Sequence, residues 1–388
     1  MRRSTIHLIC AIAVLAGCSS SDESAPSVSI PTIGTAAEPA APSPDTVFAG
    51  IKETALSDAL VIEVDTALRE TAGNVGATAT LMTPAGSWSG AIGTADGVRL
   101  MVPGDQMAIG SITKTVVAAQ VMQMVEERDL QLDGLAAEHL PSTLNFDTNG
   151  ATIRDLLAMR SGIPDYVDAL WGSLSTDELH AWTPDEVLEL VGPSRSAVGE
   201  RYAYSSSDYV LLGLILEQTG GRGLASLLRD GVLSGDGFER LVFQPGERPT
   251  EPMAMPSGGT ADAFDQGGGF LPSLAAVTAA GPAGGMASDS ATLARWWSRF
   301  CGGQVISDSS LSEMINFEDG DGYGMGLFDR AEVHATAAVG NGGIQVGFTA
   351  YAVCLLEHGF VVVVLSTGSD LDTTIEIADA IITAATSR

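Results

Sequence analysis

The sequence predicts an α/β fold in which a mainly antiparallel sheet, flanked by helices, forms a sandwich beside a helical lobe. Strand patterns occur near both ends of the chain, at 78–92 and 333–365, and the middle is mostly helical. Strands that are distant in sequence can join one sheet while the intervening helices pack beside it. The chain has 388 residues, of which 45% are hydrophobic, so it can bury a sizeable core as one large domain or two modest ones.

Hydrophobic periodicity and breaker residues predict the elements in order. Apolar residues near a 3.6-residue period predict a first helix, and two strands joined by a Pro-Ala-Gly turn follow it. The Gly- and Pro-rich segment 244–284 predicts a long irregular loop, which compact domains usually tolerate only near a site. The predicted helices are 51–72, 111–127, 152–159, 184–191, 208–218, 289–300 and 373–386, and the predicted strands are 78–82, 87–92, 333–339, 346–356 and 360–365.

The N-terminus has the pattern of an export signal. Arg2 and Arg3 precede an apolar segment over 6–16, which is too short to span a bilayer. The segment ends in Leu15-Ala16-Gly17-Cys18, which resembles a bacterial lipoprotein processing site. We therefore expect cleavage before Cys18 and lipid attachment to it, with an ordinary secretory signal and a chance cysteine as the alternative.

A tether and one domain are predicted to follow the signal. Residues 19–44 are rich in Ser, Ala and Pro without a hydrophobic period, which is typical of a flexible linker. The predicted organisation is a lipoprotein signal peptide over 1–17, a tether over 18–48 and a domain over 49–388. On this organisation we expect the protein to be exported and held at the membrane of the cell envelope by its lipid.

Composition and residue spacing argue against some classes of partner and cofactor. A formal net charge of −29 argues against a nucleic-acid partner, because phosphate contacts need a basic patch. The five histidines show no metal-ligand spacing, and neither C-x-x-C nor H-E-x-x-H occurs, so we expect no metal and no other cofactor. Cys301 and Cys354 either pair in an oxidising compartment or remain buried free thiols, and the sequence does not decide between these.

Ser111 and Lys114 form the most informative pair in the chain. Three residues apart, they share one face of the predicted helix, and an amine beside a hydroxyl can accept its proton and activate the oxygen as a nucleophile. S-x-x-K is an acyl-transfer motif, although the tetrapeptide alone also fits a helix N-cap followed by an exposed lysine. Between 106 and 124, Lys114 is the only charged residue, so the helix lacks the charged face of a surface helix.

Several stretches together resemble the serine β-lactamase and penicillin-binding-protein superfamily, in the branch of class C β-lactamases, D-alanyl-D-alanine carboxypeptidases and related esterases. They occur in the family's order over about residues 60–370. The resemblance implies a β-lactamase/transpeptidase-like sandwich and a serine hydrolase that works through an acyl-enzyme. The stretches are 107–115 (MAIGSITKT), 130–133 (LQLD), 152–157 (TIRDLL), 161–166 (SGIPDY), 204–213 (YSSSDYVLLG), 284–288 (GGMAS), 323–326 (YGMG) and 340–343 (GNGG).

The resemblance implies roles for individual residues. Ser111 matches the nucleophile, Lys114 its general base, and Tyr204 the tyrosine that shares the base and acid duty. Alone, Tyr204 would be interpreted as a core tyrosine with a satisfied hydroxyl. The backbone N–H groups of Ser111 and Ile344 match the oxyanion hole.

The predicted substrate-binding positions include two departures from the family pattern. Ser206 stands where the family usually has asparagine, and Asn341, which precedes Gly342 and Gly343, stands where it usually has lysine or histidine. Serine reaches less far, and asparagine cannot pair with a carboxylate as a cation does. The two glycines are predicted to let substrate approach the strand backbone, although a glycine-rich stretch alone indicates only a hairpin.

The departures favour a carboxylate-poor substrate. We expect ester or other acyl substrates, either small molecules or compounds derived from the cell wall. The alternatives are a D-alanyl-D-alanine carboxypeptidase or β-lactamase and, from another class, an inactive binding protein that kept the fold. A serine–histidine–acid hydrolase is disfavoured because no G-x-S-x-G elbow occurs.

Overall fold

A six-stranded antiparallel sheet lies at the centre of the structure, a computed structural model that describes residues 48, 51–170, 177–244, 246–257, 259, 263–317 and 321–387. The predicted signal peptide, Cys18 and the tether up to residue 47 lie outside the described residues. In chain order the elements are α1 (Asp58–Thr71), β1 (Ala77–Thr83), β2 (Gly86–Ile92), β3 (Met107–Ala108), α2 (Ile112–Glu126), α3 (Ile153–Leu157), α4 (Val167–Leu170), α5 (Pro184–Glu189), α6 (Ser206–Gly220), α7 (Leu224–Asp230), β4 (Val242–Phe243), α8 (Ala263–Gln266), α9 (Leu274–Gly284), β5 (Met286–Ser288), α10 (Ser290–Cys301), α11 (Asp308–Met314), β6 (Phe328–Asp329), α12 (Ala331–His334), β7 (Ala338–Gln345), β8 (Phe348–Leu355), β9 (Phe360–Ser366) and α13 (Leu371–Thr386).

The main sheet joins strands from both ends of the chain. Its order is β2-β1-β9-β8-β7-β6, so the N-terminal hairpin pairs with the last strand, and Thr80 lies opposite Val363. All of its pairings are antiparallel. This arrangement confirms the predicted fold class, in which sequence-distant strands share one sheet and helices flank it.

Both faces of the central strands are buried, which explains their nearly continuous apolar sequences. Successive side chains of a strand point to opposite faces. In β9, Val362 and Val364 pack with α1 and α13, whereas Val361 and Val363 pack on the other face in the core that contains Trp297 of α10. The sheet is therefore a middle layer between two helical layers.

The helical lobe packs around α2. Every residue of α2 from Ile112 to Met122 is buried, which accounts for the missing charged face in the sequence. α2 contacts α6, α7 and α9 in the lobe and β7 and β8 in the sheet, and β3 of the short sheet β3-β5-β4 precedes it along the chain. Its first turn therefore lies where the lobe meets the sheet. In the described part of the chain, no helix is long and apolar enough to cross a membrane.

Several predicted boundaries differ from the structure. The first helix begins at Asp58 rather than 51, and the strand predicted over 333–339 begins at Ala338, because α12 and a left-handed Ala335 (φ 54°) precede it. The segment 244–284, predicted as an irregular loop, contains the helices α8 and α9, and the Ala- and Gly-rich sequence of α9 with Pro282 has no amphipathic pattern. Phe48, placed last in the predicted tether, is buried in the core.

Cys301 of α10 and Cys354 of β8 form a disulfide. The bond joins the central sheet to the helix that covers one face, and both residues are buried. The structure thus decides between the paired and free alternatives that the sequence left open.

Reduction of this disulfide should destabilise the protein. The bond closes a chain separation of 53 residues, so the chain-entropy model gives about 4 kcal/mol of lost stability. Urea unfolding with and without a thiol reductant measures this difference. The double variant Cys301→Ala/Cys354→Ala should not respond to the reductant, and equal midpoints for oxidised and reduced wild type would contradict the prediction.

Candidate active site

Ser111 lies immediately before α2, and its hydroxyl does not cap the helix. The preceding Gly110 has a φ of +49°, a conformation that side chains disfavour, and a Cβ there would lie 2.6 Å from the backbone N of Ile344. Glycine is therefore needed for the turn that presents Ser111. Because the N-terminus of α2 carries partial positive charge, it favours negative charge that develops beside this residue.

Three functional groups meet at the Ser111 Oγ. Lys114 Nζ lies 3.1 Å from it and Tyr204 Oη lies 2.7 Å from it. Lys114 also donates a hydrogen bond of 2.7 Å to the Ala283 carbonyl on α9. The lysine is 1% exposed, so it is not the exposed surface lysine of the alternative interpretation. Tyr204 is 38% exposed and opens onto the cleft, so it is not a core tyrosine.

This geometry permits proton transfer from the serine. A hydroxyl within hydrogen-bond distance of an amine and a tyrosine oxygen can pass its proton to the neutral amine or to the phenolate as the oxygen attacks a carbonyl. Lys114 Nζ lies 5.0 Å from the centre of the Tyr204 ring, so the amine and the phenol are close to each other as well as to the serine. The predicted nucleophile and both predicted proton carriers are therefore brought together.

The N–H of Ile344 faces the Ser111 turn. In β7, the Ala338 carbonyl accepts from Arg330 on the β6 side and the Ala337 carbonyl accepts from Leu356 on the β8 side. Backbone groups of an antiparallel strand alternate between its two edges, and the β7–β8 register is unbroken through Gln345. The backbone N–H of Ile344 therefore points to the same edge of β7 as the backbone groups of Ala338, at a position along β7 that β6 does not cover.

Gly343 allows the two backbones to approach. A Cβ at this position would lie 1.9 Å from the Ile109 carbonyl oxygen and 3.0 Å from the Ser111 N. The amides of Ser111 and Ile344, predicted to form the oxyanion hole, consequently lie on adjoining segments. The glycines were predicted to admit substrate, but Gly343 instead admits the turn before α2. Gly342 faces the Leu371 side chain, which lies 2.9 Å from its Cβ position.

Asn341 lies inside the protein rather than on the cleft surface, which corrects its predicted contact with substrate. It is 1% exposed, and its Nδ2 donates to the Ser111 carbonyl (3.1 Å), the Thr115 hydroxyl (3.1 Å) and the Gly326 carbonyl (2.9 Å). The bonds to Ser111 and Thr115 hold the first turn of α2 against β7. The residue is therefore placed to position Ser111.

A cavity of about 220 Å³ opens beside the three functional groups. Ser206 lies in its wall, as predicted for a substrate-binding residue. Small residues of α9 form one side and apolar residues around α4 form another. These residues are Ala276, Ala279 and Ala280 on α9, and Tyr166, Val167 and Leu170 around α4.

Asp165 is a further polar group of this cavity that the site prediction did not include. Its carboxylate accepts a hydrogen bond of 3.0 Å from the Val167 N–H and one of 3.4 Å from the Ser206 hydroxyl. Burial raises the pKa of this carboxyl above its ordinary value, while the hydrogen bond from Val167 and the charge of Lys114 oppose the shift. The sequence showed Asp165 only as part of the stretch 161–166, with no spacing that relates it to Ser111.

Comparison with known proteins agrees with this geometry. The sequence matches the family described as Beta-lactamase over residues 65–386. The D-aminopeptidase of Brucella anthropi is 28% identical over 260 residues, which cover 64% of this chain and 47% of that protein. The D-aminopeptidase of Brucella suis biovar 1 is 26% identical over 259 residues, with the same two coverages. The chain thus spans about half the length of these curated relatives.

Solved structures share the fold. The D-amino acid amidase from Ochrobactrum anthropi SV3, complexed with D-phenylalanine, has a TM-score of 0.71 and 20% identity and covers 85% of this chain and 100% of its own. The D-stereospecific amidohydrolase from Streptomyces sp. has a TM-score of 0.67 and 23% identity, with coverages of 82% and 98%. The penicillin binding protein from Bacillus halodurans has a TM-score of 0.68 and 20% identity, with coverages of 84% and 98%.

Gly343→Ala should slow acylation of Ser111 by roughly 100-fold, the usual effect of displacing one oxyanion donor. The added methyl group meets backbone at 1.9 Å, so β7 or the turn must move. Gly342→Ala is the matched control, because its methyl group meets only the flexible end of Leu371. The measurement is the rate of labelling by a fluorophosphonate, with circular dichroism as a check of folding. An unchanged rate in folded Gly343→Ala would refute the assigned oxyanion donors.

Proposed function

Because this chain belongs to the beta-lactamase family and its site is that of a serine hydrolase, we propose that it hydrolyses amide or ester bonds whose acyl group carries a free amine. The observation that carries the proposal is the Asp165 carboxylate, which lies in the same cavity as the Ser111 hydroxyl. A cation brought beside a largely buried carboxylate offsets the cost of its charge.

The reaction proceeds through an acyl-enzyme. Ser111 Oγ bonds to the substrate carbonyl carbon as its proton passes to the neutral Lys114 amine or to Tyr204 in its phenolate form, and the N–H groups of Ser111 and Ile344 bind the resulting oxyanion. As the tetrahedral intermediate collapses, the leaving amine or alcohol takes a proton from Tyr204. Water then attacks the ester on Ser111 by the reverse proton path and releases the carboxylic acid.

The cavity suits an acyl group with an apolar side chain. Ala276, Ala279 and Ala280 leave room on the α9 side, and the apolar side chains of Val167 and Leu170 also line the cavity. The relatives named D-aminopeptidase and D-amino acid amidase favour amides of D-amino acids within this class. The sequence favoured esters, and an ester of the same acyl group is retained as a second substrate because the machinery is common to both bonds.

The substrate test compares D-phenylalanine p-nitroanilide with its N-acetyl derivative and with D-phenylalanine p-nitrophenyl ester. We expect the free amine to raise kcat/KM by about 10- to 100-fold, the usual effect of a hydrogen bond to a charged group. Asp165→Asn should remove this preference, whereas Asp185→Asn, a change of an exposed carboxylate on α5, should retain it. Ser111→Ala should abolish turnover and the burst with the ester.

The dependence of kcat/KM on pH is a second, independent test of the role proposed for Asp165. Only ionised Asp165 pairs with an ammonium, so kcat/KM for the free-amine substrate should fall as the pH drops through the pKa of this carboxyl, which burial raises. Asp165→Asn should remove that acidic limb. Equal kcat/KM for free and acetylated substrates would exclude amine recognition, and stoichiometric binding of a fluorescent penicillin without amidase activity would favour a penicillin-binding protein.

We also propose that the enzyme is exported and lipid-anchored at the cell envelope, in line with the sequence pattern ending at Cys18. The Cys301–Cys354 disulfide supports this, because such bonds persist in oxidising compartments. Cys18→Ala should shift the protein from the membrane fraction to the soluble fraction of the envelope. A wild-type protein that is already soluble would contradict the lipid anchor.

A further inference from the structure

A second cavity, of about 330 Å³, adjoins the active site on the far side of Tyr204. Tyr204 and Asp165 line both cavities, so the two spaces meet at these residues. Arg195 and Arg201 lie in the wall of the second cavity. This cavity was not part of the predicted site, and the two arginines line it together with the catalytic tyrosine.

The wall that carries the arginines is held by backbone hydrogen bonds. The Arg195 N–H donates to the Gly162 carbonyl (2.9 Å), and the Ala203 N–H donates to the Met159 carbonyl (3.0 Å). The Asn149 side-chain amide donates to the carbonyls of Ser161 and Ser196 and so bridges the two sides. The segment 195–203 is thereby fixed against the segment 159–162.

Both guanidinium groups are open to a ligand. Arg195 and Arg201 are exposed, and neither has a carboxylate partner among the described residues, whereas eight of the 14 arginines in those residues do. Guanidinium groups bind carboxylates through paired hydrogen bonds. In the first cavity the one cation among the lining residues is Lys114, whose amine contacts Ser111 and Ala283. An anionic group of a substrate would therefore find available cations in the second cavity and not in the first.

The position of Tyr204 assigns this cavity to the leaving group. Its hydroxyl, 2.7 Å from Ser111 Oγ, is the group that protonates the departing amine, so the departing part of the substrate passes this residue. We propose, on the basis of the function proposed above, that the leaving group is an amino acid whose carboxylate binds Arg195 and Arg201. With the acyl amine at Asp165, the substrate class is a zwitterionic dipeptide.

The charge of the cavity fits this class. Asp165 and Asp168 line the same cavity as the two arginines, so a simple anion also meets negative charge there. A zwitterion satisfies both signs, since its ammonium faces Asp165 and its carboxylate faces the guanidinium groups. Hydrolysis then consumes one water and yields two amino acids, the second of which departs as the neutral amine that Tyr204 has protonated.

The test compares D-phenylalanyl-glycine with D-phenylalanyl-glycinamide, which differ only in the terminal carboxylate. Wild type should prefer the carboxylate by about 10-fold in kcat/KM, mainly through KM. Arg195→Gln and Arg201→Gln should each reduce this ratio, and the double variant should bring it to about one. Arg128→Gln, a change of an exposed arginine outside the cavity, is the control that should retain the full ratio.

The outcomes separate this inference from the function on which it rests. Titration of Ser111 with a fluorophosphonate normalises each variant to folded enzyme. A ratio of one in wild type, or an unchanged ratio in the double variant, overturns the carboxylate subsite while D-phenylalanine p-nitroanilide is still hydrolysed. If the wild-type protein hydrolyses no free-amine substrate, the proposed function itself is wrong.

Discussion

The contact between β7 and the turn before α2 is the constraint on which the site depends. Gly110 and Gly343 remove the side chains that would separate these segments, and Asn341 joins β7 to the start of α2 by hydrogen bonds to Ser111 and Thr115. A buried amide with several well-placed acceptors fixes one arrangement, because any other leaves polar groups unpaired. The nucleophile comes from the lobe and the second amide from the sheet, so the docking of these two layers creates the catalytic geometry.

The departures from the family pattern have different structural consequences. Asn341, which lacks the positive charge of the usual family residue, turns inward and bonds the start of α2. Ser206 stays in the cavity wall, where its short side chain leaves space beside Asp165. The first change affects how Ser111 is held, and the second affects what the cavity admits. Neither alters the contacts among the serine, lysine and tyrosine.

Much of the fold could be predicted because its signals are local. The continuous apolar run of β9, the lone charge in α2 and the glycine after α6, Gly221 with φ 65°, are each visible in a short stretch of sequence. The helix α9 could not be predicted, because tertiary packing rather than an amphipathic pattern stabilises its Ala-rich sequence. Ser111, Lys114 and Tyr204 were found by resemblance. Asp165 and Arg195 were not, because only the folded chain brings them to one cleft.

The pairing of β1 with β9 also determines when the enzyme can become active during its synthesis. β1 cannot pair with β9 until β9 has been synthesised. The backbone amide of Ile344 is likewise synthesised more than two hundred residues after Ser111. Long-range pairing of this kind slows folding and leaves strand edges open until the chain is complete. If the chain crosses a membrane unfolded, its active site would therefore remain incomplete until the C-terminal strands had also crossed.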